Sequence, residues 1–382
     1  MSTHDISRRE VLKRGALGGL GLASMGSLAG AMDLGRAFAA RGEAGAVLPP
    51  ALINAAKKEG HLNTITLPVD WANYGEIMNT FQTRYGIHIT DANPNGSSAA
   101  EIAAIKNLKG LNRAPDVVDV SASWAATGAT GGLFIPYKVS TWDTIPANMK
   151  EPTGLWYGDY YGVIAFMSNN TTIKHAPKDW SDLTSPTLKG QIALGDDPRK
   201  AGEAFAAVFA AALANGGSLS NIEPGINFFS KLKKSGNFIL SQALNANFAK
   251  GEMGVAIRWD YLLLAARDGF KNNPSVTVNI PLHGRYAGPY FQAINKTAPN
   301  PNAAKLWEEF LYSDEGQLLF LKGYTHPARY ADLAKRNVIP KALSAKLPPA
   351  AAYAGLQFAS LAQITTAQAV LQEQWGPKVS GN

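Results

Sequence analysis

The chain has 382 residues, with 36 Lys and Arg against 29 Asp and Glu, a net charge of +7 and no cysteine. Without cysteine there is no disulfide, no thiolate or iron–sulfur site, no cysteine nucleophile and no lipid-modified N-terminal cysteine. The positive charge is scattered and Lys231 to Lys234 reads as a solvated helix face, so no nucleic-acid partner is expected.

In chain order, Ser7-Arg8-Arg9-Glu10-Val11-Leu12-Lys13 has the form of a twin-arginine export signature. Gly15 to Ala31 is uncharged, contains six glycines and is too weakly apolar for a membrane span of about 20 residues. Ala37-Phe38-Ala39 supplies a small-x-small cleavage site, so residues 1–39 are expected to be a removable signal that sends the protein to the periplasm. The remaining length suits two lobes better than one.

Pro50 to Glu59 reads as a helix, His61 to Leu67 as a strand and Tyr74 to Tyr85 as a helix. The scheme repeats with a strand at Ile87 to Asp91, a small-residue turn at Asn93 to Ser98 and a helix over Ala99 to Lys109, before a third strand at Val117 to Val120. It starts afresh with a strand at Gln191 to Leu194 and an alanine-rich helix at Ala201 to Ala214, then a strand at Met253 to Ile257 and a helix at Tyr261 to Asp268. Strands alternating with helices in this way imply an α/β protein with a parallel sheet covered on both faces. Tyr160 to Met167 and Gly288 to Ile294 are extended apolar segments that fit crossovers between two Rossmann-like lobes. Asn302 to Lys322 and Pro348 to Glu373 are expected to be helical and to return to the first lobe.

Several segments together resemble one family. Pro115-Asp116-Val117-Val118-Asp119-Val120, Gly158-Asp159-Tyr160-Tyr161-Gly162-Val163 with Asn169, and Lys250-Gly251-Glu252-Met253-Gly254-Val255-Ala256 carry part of the likeness. Ala298-Pro299-Asn300-Pro301-Asn302-Ala303-Ala304 and Ser313-Asp314-Glu315-Gly316-Gln317 complete it. The chain resembles the extracellular solute-binding proteins of ABC importers with the type 2 periplasmic binding fold. The resemblance implies one lobe from residues 47–163 with 292–382 and another from 164–291. It also implies a ligand cleft between them, no cofactor, no catalysis, and a monomer that hands a small charged solute to a permease and its ATPase.

In such a fold the ligand lies beyond the carboxyl ends of the strands, and the lobes close over it by hinge motion. The candidate loops are therefore Asp70-Trp71, Gly96-Ser97-Ser98 and Ser123-Trp124 in the first lobe, and Asp197 with Arg199 and Arg258-Trp259-Asp260 in the second. Trp259 and Asp260 form the sharpest pair: an indole face attracts a cation, a carboxylate accepts its N–H bonds, and polyamine-binding relatives carry an aromatic and an acid in this loop. Trp71 and Trp124 could complete an aromatic cage, although core packing is an equal reading for each tryptophan, and Asp70 or Asp197 could simply cap a helix. Tyr290, at the second crossover, is a further ligand candidate. Arg199, Arg258 and the serine turn point instead to an anion or a zwitterion such as an aminophosphonate, with plain helix capping as the competing reading of the serines. Ferric-iron relatives carry adjacent tyrosines where Trp259-Asp260 stands here, which disfavours iron.

Enzyme readings find little support. Gly15 to Gly21 does not complete a dinucleotide fingerprint, the six histidines have no metal spacing, and Ser230-Lys231-Leu232-Lys233 matches Ser-x-x-Lys without a separate partner motif. A twin-arginine-exported periplasmic enzyme nevertheless stays open as an alternative at this level.

Overall fold

A computed structural model describes residues 48–381. The expected signal at residues 1–39 lies outside them. Helix α1 (Pro50–Glu59) has proline in its first turn and stops at Gly60, whose φ of 68° lets its N–H cap the Ala56 carbonyl. Strand β1 (His61–Ile65), helix α2 (Tyr74–Tyr85), strand β2 (His88–Ala92), helix α3 (Ser98–Asn107), strand β3 (Val117–Ser121) and helix α4 (Ala122–Thr130) follow. β1 and β2 pair in parallel, and β3 lies beside β1, with the Asp116 N–H donating to the Asn63 carbonyl at 2.8 Å. After the short β4 (Phe134–Ile135) comes β5 (Tyr157–Asn169), thirteen residues buried along almost their whole length.

The second lobe is built from β6 (Ile192–Leu194), α5 (Gly202–Ala214), α6 (Glu223–Lys234), α7 (Asn245–Ala249), β7 (Val255–Trp259), α8 (Asp260–Phe270) and β8 (Val276–Asn279). Its β6 and β7 are parallel. Strand β9 (Ala287–Asn295) then returns to the first lobe, followed by α9 (Pro301–Leu311), α10 (Asp314–Lys322) and β10 (His326–Pro327). The helical stretch expected over residues 302–322 is thus two helices, the second begun where the Ser313 hydroxyl accepts from the Gly316 N–H.

β5 is the element that joins the halves. Its first part, Tyr157 to Val163, pairs with β9 and β10; its second, Ile164 to Asn169, pairs with β7 and β8. All of these pairings are antiparallel, as is β3 with β9, so among the described strands the expected parallel pairing is realised only in β1/β2 and β6/β7. The reason is topological: the crossovers are themselves strands, and they enter the sheet against the direction of the strands around them. β9 pairs with β3 from Tyr290 to Ile294, so a lobe boundary at 291/292 falls inside a continuous strand.

The last segment departs further from expectation. Only Ala350–Tyr353 is a 3₁₀ turn before Gly355, the Gln357 backbone bridges to Arg285 and Ala287, and α11 (Leu361–Trp375) begins at a Ser360/Gln363 capping box. α11 packs on α4 in the first lobe and on α6 in the second. Trp375 is buried with ring centroids 5.7 Å from Phe229 and 6.3 Å from Phe238, and the Ser230 hydroxyl donates to the Lys378 carbonyl at 2.8 Å. The C-terminal segment therefore straps both lobes and does not return to the first alone.

Candidate functional site

The loops after β1 and β2 meet the start of α5, the end of β7 and one face of α8 around a cavity of about 800 Å³. The first-lobe wall depends on a tight turn in which the Gly96 N–H donates to the Asn93 carbonyl at 2.8 Å. A Cβ at Gly96 would lie 2.4 Å from Asn93 Nδ2 and 2.6 Å from Thr66 Oγ1, so a larger residue would have to displace both side chains. Ser97 then takes the extended N-cap conformation of α3 without a side-chain capping bond, and the Ser98 hydroxyl accepts from the Ser121 N–H at 3.1 Å. Trp71 forms an aromatic wall: its indole N–H donates to the Tyr160 hydroxyl at 2.8 Å, and its ring stands edge-on to Tyr290 at 5.7 Å.

Of the residues expected to bind ligand, Asp70, Trp71, Gly96, Ser97, Ser98, Arg258 and Tyr290 line this one cavity. Arg258 is already engaged, donating from Nε and Nη2 to the two Glu203 oxygens at 2.7 and 3.1 Å. Ser123, Trp124, Asp197, Arg199, Trp259 and Asp260 are not in its lining. Asp197 and Arg199 pair with each other at 2.6 Å. Ser123 and Trp124 are half-buried in the first turn of α4, the helix on which α11 packs.

The expected Trp259–Asp260 cation clamp is not what the structure builds. Trp259 is buried at the crossovers, where a Cβ on Gly288 would come within 2.6 Å of its ring. Asp260 is buried under the hinge, accepting from the Val163 N–H at 2.9 Å and the Tyr353 hydroxyl at 3.1 Å, with His326 Nε2 at 3.8 Å. Burial pushes its pKa up to about 7 and pulls that of His326 down to about 4. The physical reason is the position of Asp260 at the start of α8, which turns the carboxylate toward the β5 backbone.

Sequence reasoning missed the acids that dominate the cavity. Glu101, Asp119 and Glu203 line it beside Asp70 and Asp196, against Arg258 as the one basic residue of the lining. Asp119 sits in an otherwise apolar strand, Val117-Val118-Asp119-Val120, and a charge in a buried strand was the available signal. Glu101 lies one turn into α3, and its Oε2 accepts from the Asp119 N–H at 3.0 Å. Burial, followed by the Asp119 charge, raises the pKa of Glu101 well above the carboxylate range, and burial pushes Asp119 up to about 7. Among the described residues no group of three His, Asp or Glu is arranged to hold a metal ion.

Residues 112–350 match the family described as bacterial extracellular solute-binding protein. A curated relative from Haemophilus influenzae, itself an uncharacterised protein, is 30% identical over 244 residues, 60% of this chain and 66% of its own length. The fold is similar to that of the periplasmic binding protein AfuA from Actinobacillus pleuropneumoniae, solved with fructose-6-phosphate, with a TM-score of 0.68 at 20% identity, covering 84% of this chain and 99% of that one. Iron-bound HitA from Pseudomonas aeruginosa gives a TM-score of 0.63 at 19% identity, covering 82% and 98%. At these identities the structural likeness establishes the fold, the type 2 periplasmic binding architecture, and nothing about the ligand.

Proposed function

From the premise that this chain belongs to the bacterial extracellular solute-binding proteins, we propose that it is the periplasmic receptor of an ABC importer and that its solute carries an amine cation. It captures the solute between its lobes and passes it, as a monomer, to a permease driven by an ATPase, with no covalent step. The observation that carries the ligand class is the cavity itself: four carboxyl groups, Asp70, Glu101, Asp119 and Asp196, line it besides Glu203, which is paired with its single guanidinium. An ammonium over the Trp71 and Tyr290 walls gains both charge-assisted hydrogen bonds and aromatic contact. A melting-temperature screen over putrescine, amino acids, 2-aminoethylphosphonate, ferric chelates and sugar phosphates tests this. Stabilisation by amines supports it, and stabilisation only by amine-free anions refutes it.

A second reading keeps the amine and adds an anionic end. The Gly96-Ser97-Ser98 turn puts the start of α3 on the cavity wall, where backbone N–H groups suit a phosphonate or carboxylate. In the screen, 2-aminoethylphosphonate outperforming putrescine would favour this zwitterion. Export by the twin-arginine route is part of the proposal, and replacing Arg8 and Arg9 together by Lys should leave the protein in the cytoplasm on cell fractionation.

A further inference from the structure

At the cavity wall three carboxylates, Glu101, Asp119 and Asp159, are buried together, and two of them share too few hydrogens for the bonds they make. The Tyr74 hydroxyl lies 2.8 Å from Asp119 Oδ2 and 3.1 Å from Asp159 Oδ2, and it has one hydrogen to give to the two. The Tyr160 hydroxyl donates to Asp119 Oδ2 at 3.0 Å, and Gln292 Nε2 donates to Asp159 Oδ2 at 3.0 Å. Asp119 Oδ1, on a residue only 5% exposed that lines the cavity, has no hydrogen-bond partner, and neither does the buried Gln292 Oε1. Among the described residues, no ion pair reaches Glu101, Asp119 or Asp159.

The surroundings supply no hidden cation. Asp119 faces Glu101 on α3, Tyr74 on α2, Asp159 and Tyr160 on β5 and Gln292 on β9. Tyr261 on α8, Tyr290 on β9 and Glu308 on α9 also feel its charge, Asp91 on β2 acts on Glu101, and across the cavity Arg258 is committed to Glu203. Unpaired buried carboxylates this close together cannot all stay ionised.

We propose that Asp119, with Glu101 beside it and Asp159 behind it, is a proton-loaded subsite for the solute's ammonium group, and that docking of the cation releases a proton to solvent. The inference rests on the amine-receptor reading and adds a linkage to it. In the empty site the proton occupies a carboxyl of this cluster. An ammonium donating to the Asp119 carboxylate replaces it, so the net charge of the cluster and ligand stays constant. This accounts for an unpartnered buried oxygen on a residue of the cavity lining and for the absence of any basic partner among the described residues. Linkage gives the sign: affinity rises with pH below the cluster's upper titration, by up to about tenfold per pH unit for one proton.

The test is calorimetric titration of the mature protein with putrescine and with 2-aminoethylphosphonate at pH 6, in buffers of different ionisation enthalpy. The expected result is a slope of about one proton released per ligand, with affinity rising as pH goes from 5.5 to 7. Asp119→Asn should remove both the buffer dependence and the pH dependence and weaken binding more than tenfold, with Glu101→Gln as a second variant. Should either variant fail to fold, the buffer comparison on the unaltered protein decides alone. An amine that binds with buffer-independent heats overturns the proton linkage and leaves the receptor reading intact. Saturable binding of fructose-6-phosphate with no amine bound overturns the subsite while solute capture stands, and no binding by any compound of the screen overturns both.

Discussion

Gly202 opens α5 where the second lobe touches the end of β3. A Cβ on Gly202 would lie 2.4 Å from Ser121 Cβ and 2.6 Å from its Oγ. Carbon atoms pack at about 3.5–4.0 Å, so Gly202→Ala requires a displacement of about 1 Å or more. Ser121 cannot easily supply it, since it is paired with Tyr290 in the β3/β9 ladder and its N–H donates to Ser98. The strain is relieved instead by drawing α5 away from the first lobe, which opens the cleft. Overpacking of this kind costs about 1–3 kcal/mol, here charged to the closed state alone, and weakens solute binding by about 5- to 150-fold. Calorimetric affinities of the original protein, Gly202→Ala and the bulkier Gly202→Val, taken with the solute found in the screen, should fall in that order, and small-angle scattering with saturating solute should show the variants more open. Affinities of both variants within about two-fold of the original would refute the argument.

Trp375→Ala should destabilise the protein by about 3–5 kcal/mol in urea, because it empties the site between Phe229 and Phe238; a loss under about 1 kcal/mol would show that the strap is not anchored there. Arg329, 1% exposed, donates to the Thr144 hydroxyl and the Tyr312 carbonyl at 2.6 Å each and shares Asp314 and Asp332 with Arg336, so Arg329→Ala should cost about 1–3 kcal/mol by leaving buried acceptors unsatisfied while Arg336 still holds both carboxylates, again read from urea midpoints. At the hinge, the folded state holds an extra proton on Asp260 between its ordinary pKa of 3.8 and about 7, which makes stability fall as pH rises through that window. It lacks a proton on His326 between about 4 and 6.5, which makes stability rise with pH, so the two slopes offset each other from pH 4 to 6.5. Urea midpoints should therefore rise with pH over this range in Asp260→Asn and fall in His326→Gln; equal slopes in the two variants would dismiss the pairing.

The fold was largely legible because its local signals agree with one another. The first helices end where they were expected to end, at Glu59 and Tyr85, and in the structure Gly60 and Gly86 stop them with a left-handed backbone. Strand direction was not legible: nothing in Gly288 to Ile294 tells whether it runs with or against β3, since that depends on where the chain comes from. The candidate cavity was half legible. Asp70, Trp71 and the Ser97 turn follow strands and point where strand-end loops must. Trp259 and Asp260 also follow a strand, yet one packs on Gly288 and the other binds the Val163 N–H, and both choices depend on partners distant in sequence. Asp119 reads locally as one residue of a strand, although a carboxylate amid valines needs an explanation of its own.

The thirteen residues of β5 lie in both halves without a break, each half contributing a separate set of neighbours to the same strand. Neither half owns a complete sheet without it. Expressing residues 164–286 alone would leave β7 and β8 paired to Ile164–Asn169 but would cut the strand at its middle, and the remainder would keep Tyr157–Val163 beside β9 and β10 with the covalent continuity between the two ladders lost. Calorimetric unfolding should accordingly show a single heat-absorption peak in place of two, and the opening of the cleft must be absorbed as twist within a hydrogen-bonded strand, which limits how far the halves can swing apart.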